Sequence, residues 1–505
     1  MIEISLSANS QGGGPCPIHL RNITPVTSTA KTAGNLSALD KFFEITKRGS
    51  TVGKEIRGGV VTFFAMAYIV VLNPIILGGK EDIAGQILDP ALVGAATSLA
   101  AGFMSILFGV IARLPFAFAA GLGMNSFLAV NVVGLVTWQE AMGIVVINGL
   151  VICLLGATGA RLAIYRAVPA SLKAAISVAI GFFIAFIGFV NAGFVTRTPG
   201  GPPVQLGTDG SIVSPPTVIF VLTLILAGVL VARRVNGAIL IALVIGTIAS
   251  IIFEAISPIG SKYAPESNGI GWESSVPTLP EAIVTLPDFS LVGQVDVFGS
   301  FARVGIISAL MLLFTLVFTN FFDAIGTMNG LSKGASLQDQ AGEFPRIKSA
   351  FLVEGVGAVV GGATSSSSTT VFVESAAGIG EGARTGLASI TTGALLFLTA
   401  FFTPLTALVP IEIGSAALVL VGTMMMSQVT EIEWSDFYVA LPAFLTIAAM
   451  PLTYSIANGI GVGFVSYVLI NLFGGRAKRV HPILFIVAAG FILFFTRGPL
   501  ESLLS

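Results

Sequence analysis

The sequence predicts an all-α polytopic membrane protein of about fourteen crossings, built as two inverted seven-span repeats. Three observations predict it: the composition, a row of long apolar runs, and a faint echo between the halves that includes one broken segment in the third place of each. Of 505 residues, 54% are hydrophobic and only 10% charged, with mean hydropathy +0.93. A soluble domain carries about 25% charge, so the chain belongs in a bilayer. Net charge is −1, which by itself is silent on nucleic acid, and no basic patch of the kind such binding needs stands out, so no nucleic-acid partner is expected. Cys16 and Cys153 have no partner spacing, and His19 and His481 lie outside the apolar runs, so no metal site and no cofactor is implied.

Runs long enough to cross ~30 Å of hydrocarbon need about 20 residues. They fall near 58–78, 91–112, 138–159, 170–190, 215–232, 237–257, 304–330, 347–362, 385–404, 412–427, 436–453 and 455–473. Two more, 115–134 and 365–381, are hydrophobic but interrupted; 482–496 is short enough to lie along the interface. Residues 1–40 are polar and lack the apolar core of a signal peptide, which predicts a disordered tail. Lys41, Lys47, Arg48, Lys54 and Arg57 precede the first span, and alternation puts most later Lys and Arg on the same side. By the positive-inside rule both termini are cytoplasmic, in a multi-pass protein of the cell (plasma or inner) membrane.

The hydrophilic stretch 258–300 is the longest connection and divides the halves, 41–257 from 301–475, with 476–505 as a tail carrying the interfacial helix. A short interfacial helix is also expected within Pro280 to Asp296. The echo is specific in places. Pro169 is followed by Ala175, Val178 and Gly181, and Pro410 by Ala416, Val419 and Gly422, at the same offsets of six, nine and twelve. Asn236-Gly237 and Asn458-Gly459 each open the second later span. Seven crossings per half, an odd number, turn the second half upside down, with the broken segments meeting near the midplane.

In the first broken segment Pro115, Gly121 and Gly123 disfavour a continuous helix and suit an extended piece followed by a half-helix. Asn125, near its start, offers an amide to a ligand, or else caps or glues helices. The second begins with seven hydroxyl residues, Thr364 to Thr370, and leads to a half-helix expected from Phe372, with Glu374 in its first turn. Asp323 lies late in the run 304–330, among Phe318, Phe321 and Phe322. An ionisable group at this depth costs about 2.5–3.5 kcal/mol, so two of them need a reason. Both are candidate substrate contacts and proton carriers, with Phe322 and Phe372 as stacking faces. Thr327, one turn beyond Asp323, faces the same side. Thr370 is a supporting residue, and Glu354, flanked by Gly355 and Gly357, reads mainly as structural. Asn73-Pro74 reads as the break that ends the first span.

Four stretches resemble the nucleobase/ascorbate transporter superfamily, in its adenine/guanine/hypoxanthine (purine) permease branch: Arg57 to Pro74, Pro115 to Phe127, Phe321 to Thr327, and Glu374 to Leu387. The resemblance implies purine nucleobase import by proton symport, with a core domain (spans 1–4 and 8–11) moving against a gate domain (spans 5–7 and 12–14). It makes Asp323, Glu374 and Asn125 the purine contacts. In related branches the position of Thr327 holds a titratable histidine, and the branch itself usually has an acid where Asn320 stands, a proline at Ala120 and an aspartate at Glu354. Proton coupling would then rest on Asp323 or Glu374. The alternatives are an anion carrier of the same fold for bicarbonate or sulfate, which two acids at the site would repel, a channel, and an intramembrane enzyme, for which no nucleophile–base set is evident. The preferred purine, H+ against Na+ coupling, and pairing into a homodimer stay open.

Overall fold

The computed structural model describes residues 37–496, apart from 159–165, 199–202, 209, 265–266, 268–269, 274–275, 279–281 and 340–342, and apart from the side chains at 322, 325, 329, 406 and 407. The expected tail lies almost wholly outside the described residues. All twelve continuous runs form helices. Ten are long and apolar enough to cross a bilayer: Val52–Leu77, Pro90–Ile111, Trp138–Thr158, Ala170–Asn191, Pro215–Ala232, Ala238–Ile256, Ile306–Gly334, Gly386–Leu405, Ile411–Glu431 and Ile456–Phe473. Ile347–Ala363 and Phe437–Thr453 have 17 residues each. Pro215–Ala232 and Ala238–Ile256 keep Leu222, Ile225, Ile248 and Ile252 exposed, as suits helices with one face in lipid.

Both interrupted runs are strand-plus-helix segments. The first is the strand Phe118–Ala120 followed by the helix Leu122–Phe127, which runs on as a π-helical turn to Val132. The second is the strand Thr369–Val371 followed by the helix Ser375–Gly380. The two strands pair antiparallel, Phe118 opposite Val371 and Ala120 opposite Thr369. Bare backbone inside a membrane needs partners from the protein, and here each segment supplies the other. Gly121 N donates to Ser368 O (2.9 Å) and Phe372 N to Ala117 O (2.9 Å), while Ser375 Oγ accepts from Ala117 N (3.0 Å). Ser389 Oγ donates to Phe116 O (2.6 Å), and Thr369 Oγ1 to Gly357 O (2.6 Å). Hydroxyls from packed helices, Ser375 and Ser389 among them, therefore replace water as partners of the exposed backbone.

Glycines set the closest helix approaches. A Cβ at Gly181 would stand 2.7 Å from Gly422 O, so Ala170–Asn191 and Ile411–Met425 touch backbone to backbone. These are the two glycines at matching offsets in the internal echo. Trp138–Thr158 packs on Ile347–Ala363 in the same way, a Cβ at Gly355 falling 2.7 Å from Cys153 N.

Three expectations need correction. No helix occurs in 282–296; the connection turns there and a short helix begins only at Gly299–Val304. The second half-helix starts at Ser375, not Phe372, because Phe372 is still tied to the first strand through Ala117. Pro74 does not end the first span: it sits inside the helix Ile69–Leu77, which continues the span Val52–Leu77 after a turn at Ala67 and Tyr68. Pro482–Phe495, expected along the interface, packs by Phe491 on Phe314 (5.1 Å between ring centres) and Phe464 (6.2 Å).

Candidate functional site

The paired strands end at a cavity of about 610 Å3, within the range of small-molecule sites. Asp323 and Thr327 line it from the helix Ile306–Gly334, and Thr370, Phe372 and Glu374 line it from the second broken segment. Gly121, Leu122 and Gly123 present the start of the first half-helix, where the first-turn N–H groups have no intrahelical acceptor. Ser177, Ile180, Met424 and Met425 form the opposite wall, from the glycine-paired helices.

Asp323 and Glu374, 51 positions apart, thus share one cavity. Both belong to the second half; the first contributes Tyr68, Ser177, Ile180 and the start of its half-helix. Tyr68 Oη donates to Glu374 Oε1 at 2.5 Å, and the tyrosine is completely buried apart from its place on the cavity wall. Glu374 is the residue that precedes the half-helix Ser375–Gly380, a position where a carboxylate meets the positive end of the peptide dipoles. The Phe372 ring lies 6.5 Å from that of Tyr68. Arg384, the cation among the lining residues, is turned to the carbonyls of Ile379 and Ala383, both at 2.7 Å.

The other candidates fall elsewhere. Asn125 is fully buried and off the cavity wall; its Nδ2 donates to Asn73 Oδ1 (2.5 Å). Asn73 in turn donates to Thr97 Oγ1 (2.8 Å) and Ser366 O (3.0 Å), joining both broken segments to the first span. Glu354 is fully buried behind the wall, and its carboxyl bears electrostatically on Asp323 as that of Glu374 does. Thr370 Oγ1 is buried with no hydrogen-bond partner, as are both polar atoms of Asn320, one turn before Asp323. The Phe322 side chain lies outside the described residues.

Sequence reasoning missed Tyr68 and Asn73. A tyrosine or asparagine inside an apolar span must place its polar tip somewhere. That rule, applied to Arg57–Pro74, would have flagged both.

The permease-family profile (Xan_ur_permease) matches residues 53–462. The chain belongs to this family. The resemblance read from four stretches is thereby borne out, and the intramembrane-enzyme alternative falls, since the family is one of transporters. The permease is 37% identical over 460 residues to the guanine/hypoxanthine permease PbuG of Bacillus subtilis, covering 90% of this chain and 98% of that one. It is 33% identical over 468 residues to the adenine permease AdeP of Escherichia coli, covering 92% and 97%. In fold it is similar to the transmembrane domain of the cyanobacterial bicarbonate transporter BicA, with TM-score 0.57 and 17% identity over 81% of this chain and 96% of that one. It is a multi-pass, all-α membrane protein.

Proposed function

We propose that the permease imports purine nucleobases (adenine, guanine or hypoxanthine) across the cell membrane by proton symport and alternating access. One observation carries the reading: Asp323 and Glu374 open on the same cavity, beside the start of a half-helix and the rings of Tyr68 and Phe372. A neutral purine has N–H donors for carboxylates, ring nitrogens for backbone N–H, and a flat face for aromatic rings. Relatives named as guanine/hypoxanthine and adenine permeases support the same substrate class. Two acids on the wall disfavour the anion carrier, whose substrate they would repel.

Inverted repeats are supported by the antiparallel strand pair and by the contact between Gly181 and Gly422 at matching offsets. Two identical-offset residues meet each other where a pseudo-two-fold axis passes. The cavity lies between the acid-bearing spans and the glycine-paired spans, as a core moving against a gate requires. It reaches Gly334, Gly380, Arg384 and Gln428 on the arginine-rich side. With both termini cytoplasmic, this conformation is open inward. Protons ride on Asp323 or Glu374, because Thr327 has no titratable group.

The test is uptake of labelled hypoxanthine into proteoliposomes holding the full chain. Adenine and guanine should compete, sulfate and bicarbonate should not, and an inward proton gradient should drive accumulation. Uptake driven only by sodium would remove the proton, and competition by sulfate would remove the purine.

A further inference from the structure

At the arginine-rich surface, three guanidinium groups that do not line the cavity crowd together. Arg48 Nη1 donates to Arg113 O (2.7 Å) and Arg384 O (3.2 Å), and Arg346 Nη1 donates to Ile111 O (3.2 Å), so both cap the end of Pro90–Ile111. Arg113 caps nothing. Its guanidinium lies over the Phe42 ring, 3.8 Å from the centre, and its Nε is buried without an acceptor. The like charge of Arg346 bears on both Arg48 and Arg113, while Glu44, paired with Lys47 (2.9 Å) and Arg48 (3.4 Å), and Glu55 bear on Arg48. Among the described residues Arg113 and Arg346 carry no ion pair of this kind, and two such guanidinium groups favour an anion.

The surroundings name the anion's source. Phe103, Val110 and Ile111 form an exposed apolar stripe that climbs the helix towards Arg113, and Leu39 and Phe42 are exposed beside it, on a short helix whose Phe43 is buried in the protein. Apolar surface leading up to a cationic cluster at the end of a membrane span matches a phospholipid, chains below and phosphate above.

We propose that Arg113 and Arg346 bind the phosphate of an anionic phospholipid in the leaflet on the arginine-rich side, its acyl chain lying along Phe103, Val110 and Ile111. The site is separate from the nucleobase cavity, and its test does not depend on transport.

Native mass spectrometry of the full chain would be run after extraction from vesicles of phosphatidylcholine and phosphatidylglycerol in equal parts. The wild type should retain phosphatidylglycerol several-fold over phosphatidylcholine. R113Q and R346Q should lose that preference, and R233Q, another basic residue outside the cluster, should keep it. If R113Q does not fold, R113K replaces it and must lower the preference by at least half, since a lysine keeps the charge but not the fork. Equal retention of the two lipids by the wild type, an equal loss in R233Q, or an unchanged preference in the Arg113 variant that folds overturns the proposal. So does displacement of the lipid by inorganic phosphate, which would mark a free-anion site.

Discussion

The two broken segments occupy corresponding places and pair with each other, yet they are chemically unlike. The first is apolar from Pro115 to Gly123 and brings backbone to the cavity; of its polar residues, Asn125 turns away to Asn73 and Asn131 to Tyr454 O. The second is built of hydroxyl residues and brings Glu374 to the cavity, held by Tyr68. The two segments therefore divide the labour. One supplies N–H groups and a backing, and the other supplies the ionisable contact and, through Ser375 Oγ, a hydroxyl partner for Ala117 N.

The comparison breaks most sharply at the acids. E374A, and D323A on the neighbouring helix, should each reduce hypoxanthine uptake by about 100-fold or more, since a buried contact to a charged group contributes roughly 1.5–3 kcal/mol and the acids act together. Membrane expression should stay normal, read by fluorescence of a fused reporter. N125A in the other segment should leave the apparent KM for hypoxanthine within about 3-fold, and so report the asymmetry directly.

A smaller effect is expected at Tyr68. Y68F removes the donor to Glu374 Oε1 and keeps the ring, so uptake affinity should fall about 10-fold, corresponding to a loss of about 1.4 kcal/mol. An unchanged affinity would mean that Glu374 is positioned by its helix alone. On stability instead of transport, N73A should lower the thermal unfolding midpoint, because Ser366 O and Asn125 Nδ2 both lose their partner; a stability loss of about 1–3 kcal/mol follows from unsatisfied buried groups. Restored stability in N73A/N125A relative to N73A alone would place Asn125 in the frame rather than at the substrate.

Much of this was legible in the residues because the bilayer imposes a simple rule. Twelve apolar runs give twelve helices, since spanning backbone must satisfy itself, and Pro115, Gly121 and the hydroxyl run marked where it does not. Asp323, Thr327, Phe372 and Glu374 were visible as polar or aromatic groups at hydrocarbon depth, and all reach one cavity. What stayed hidden depends on pairing across the chain. Nothing local in Ile69–Leu77 says that Asn73 grips a carbonyl at Ser366, or that Tyr68 meets an acid 306 positions away. The start of the second half-helix was misplaced for the same reason: Phe372 N is claimed by Ala117 O, a partner from the other half.

The account rests on Asp323 and Glu374 holding one ring between them, and a double-mutant cycle on binding tests this directly. Hypoxanthine affinity would be measured by calorimetry for the purified wild type, D323N, E374Q and the double variant, each able to keep its fold. Each single change should remove nearly as much affinity as both together, because losing either contact releases the same ligand. Losses that simply add, or full affinity in either single variant, would contradict it.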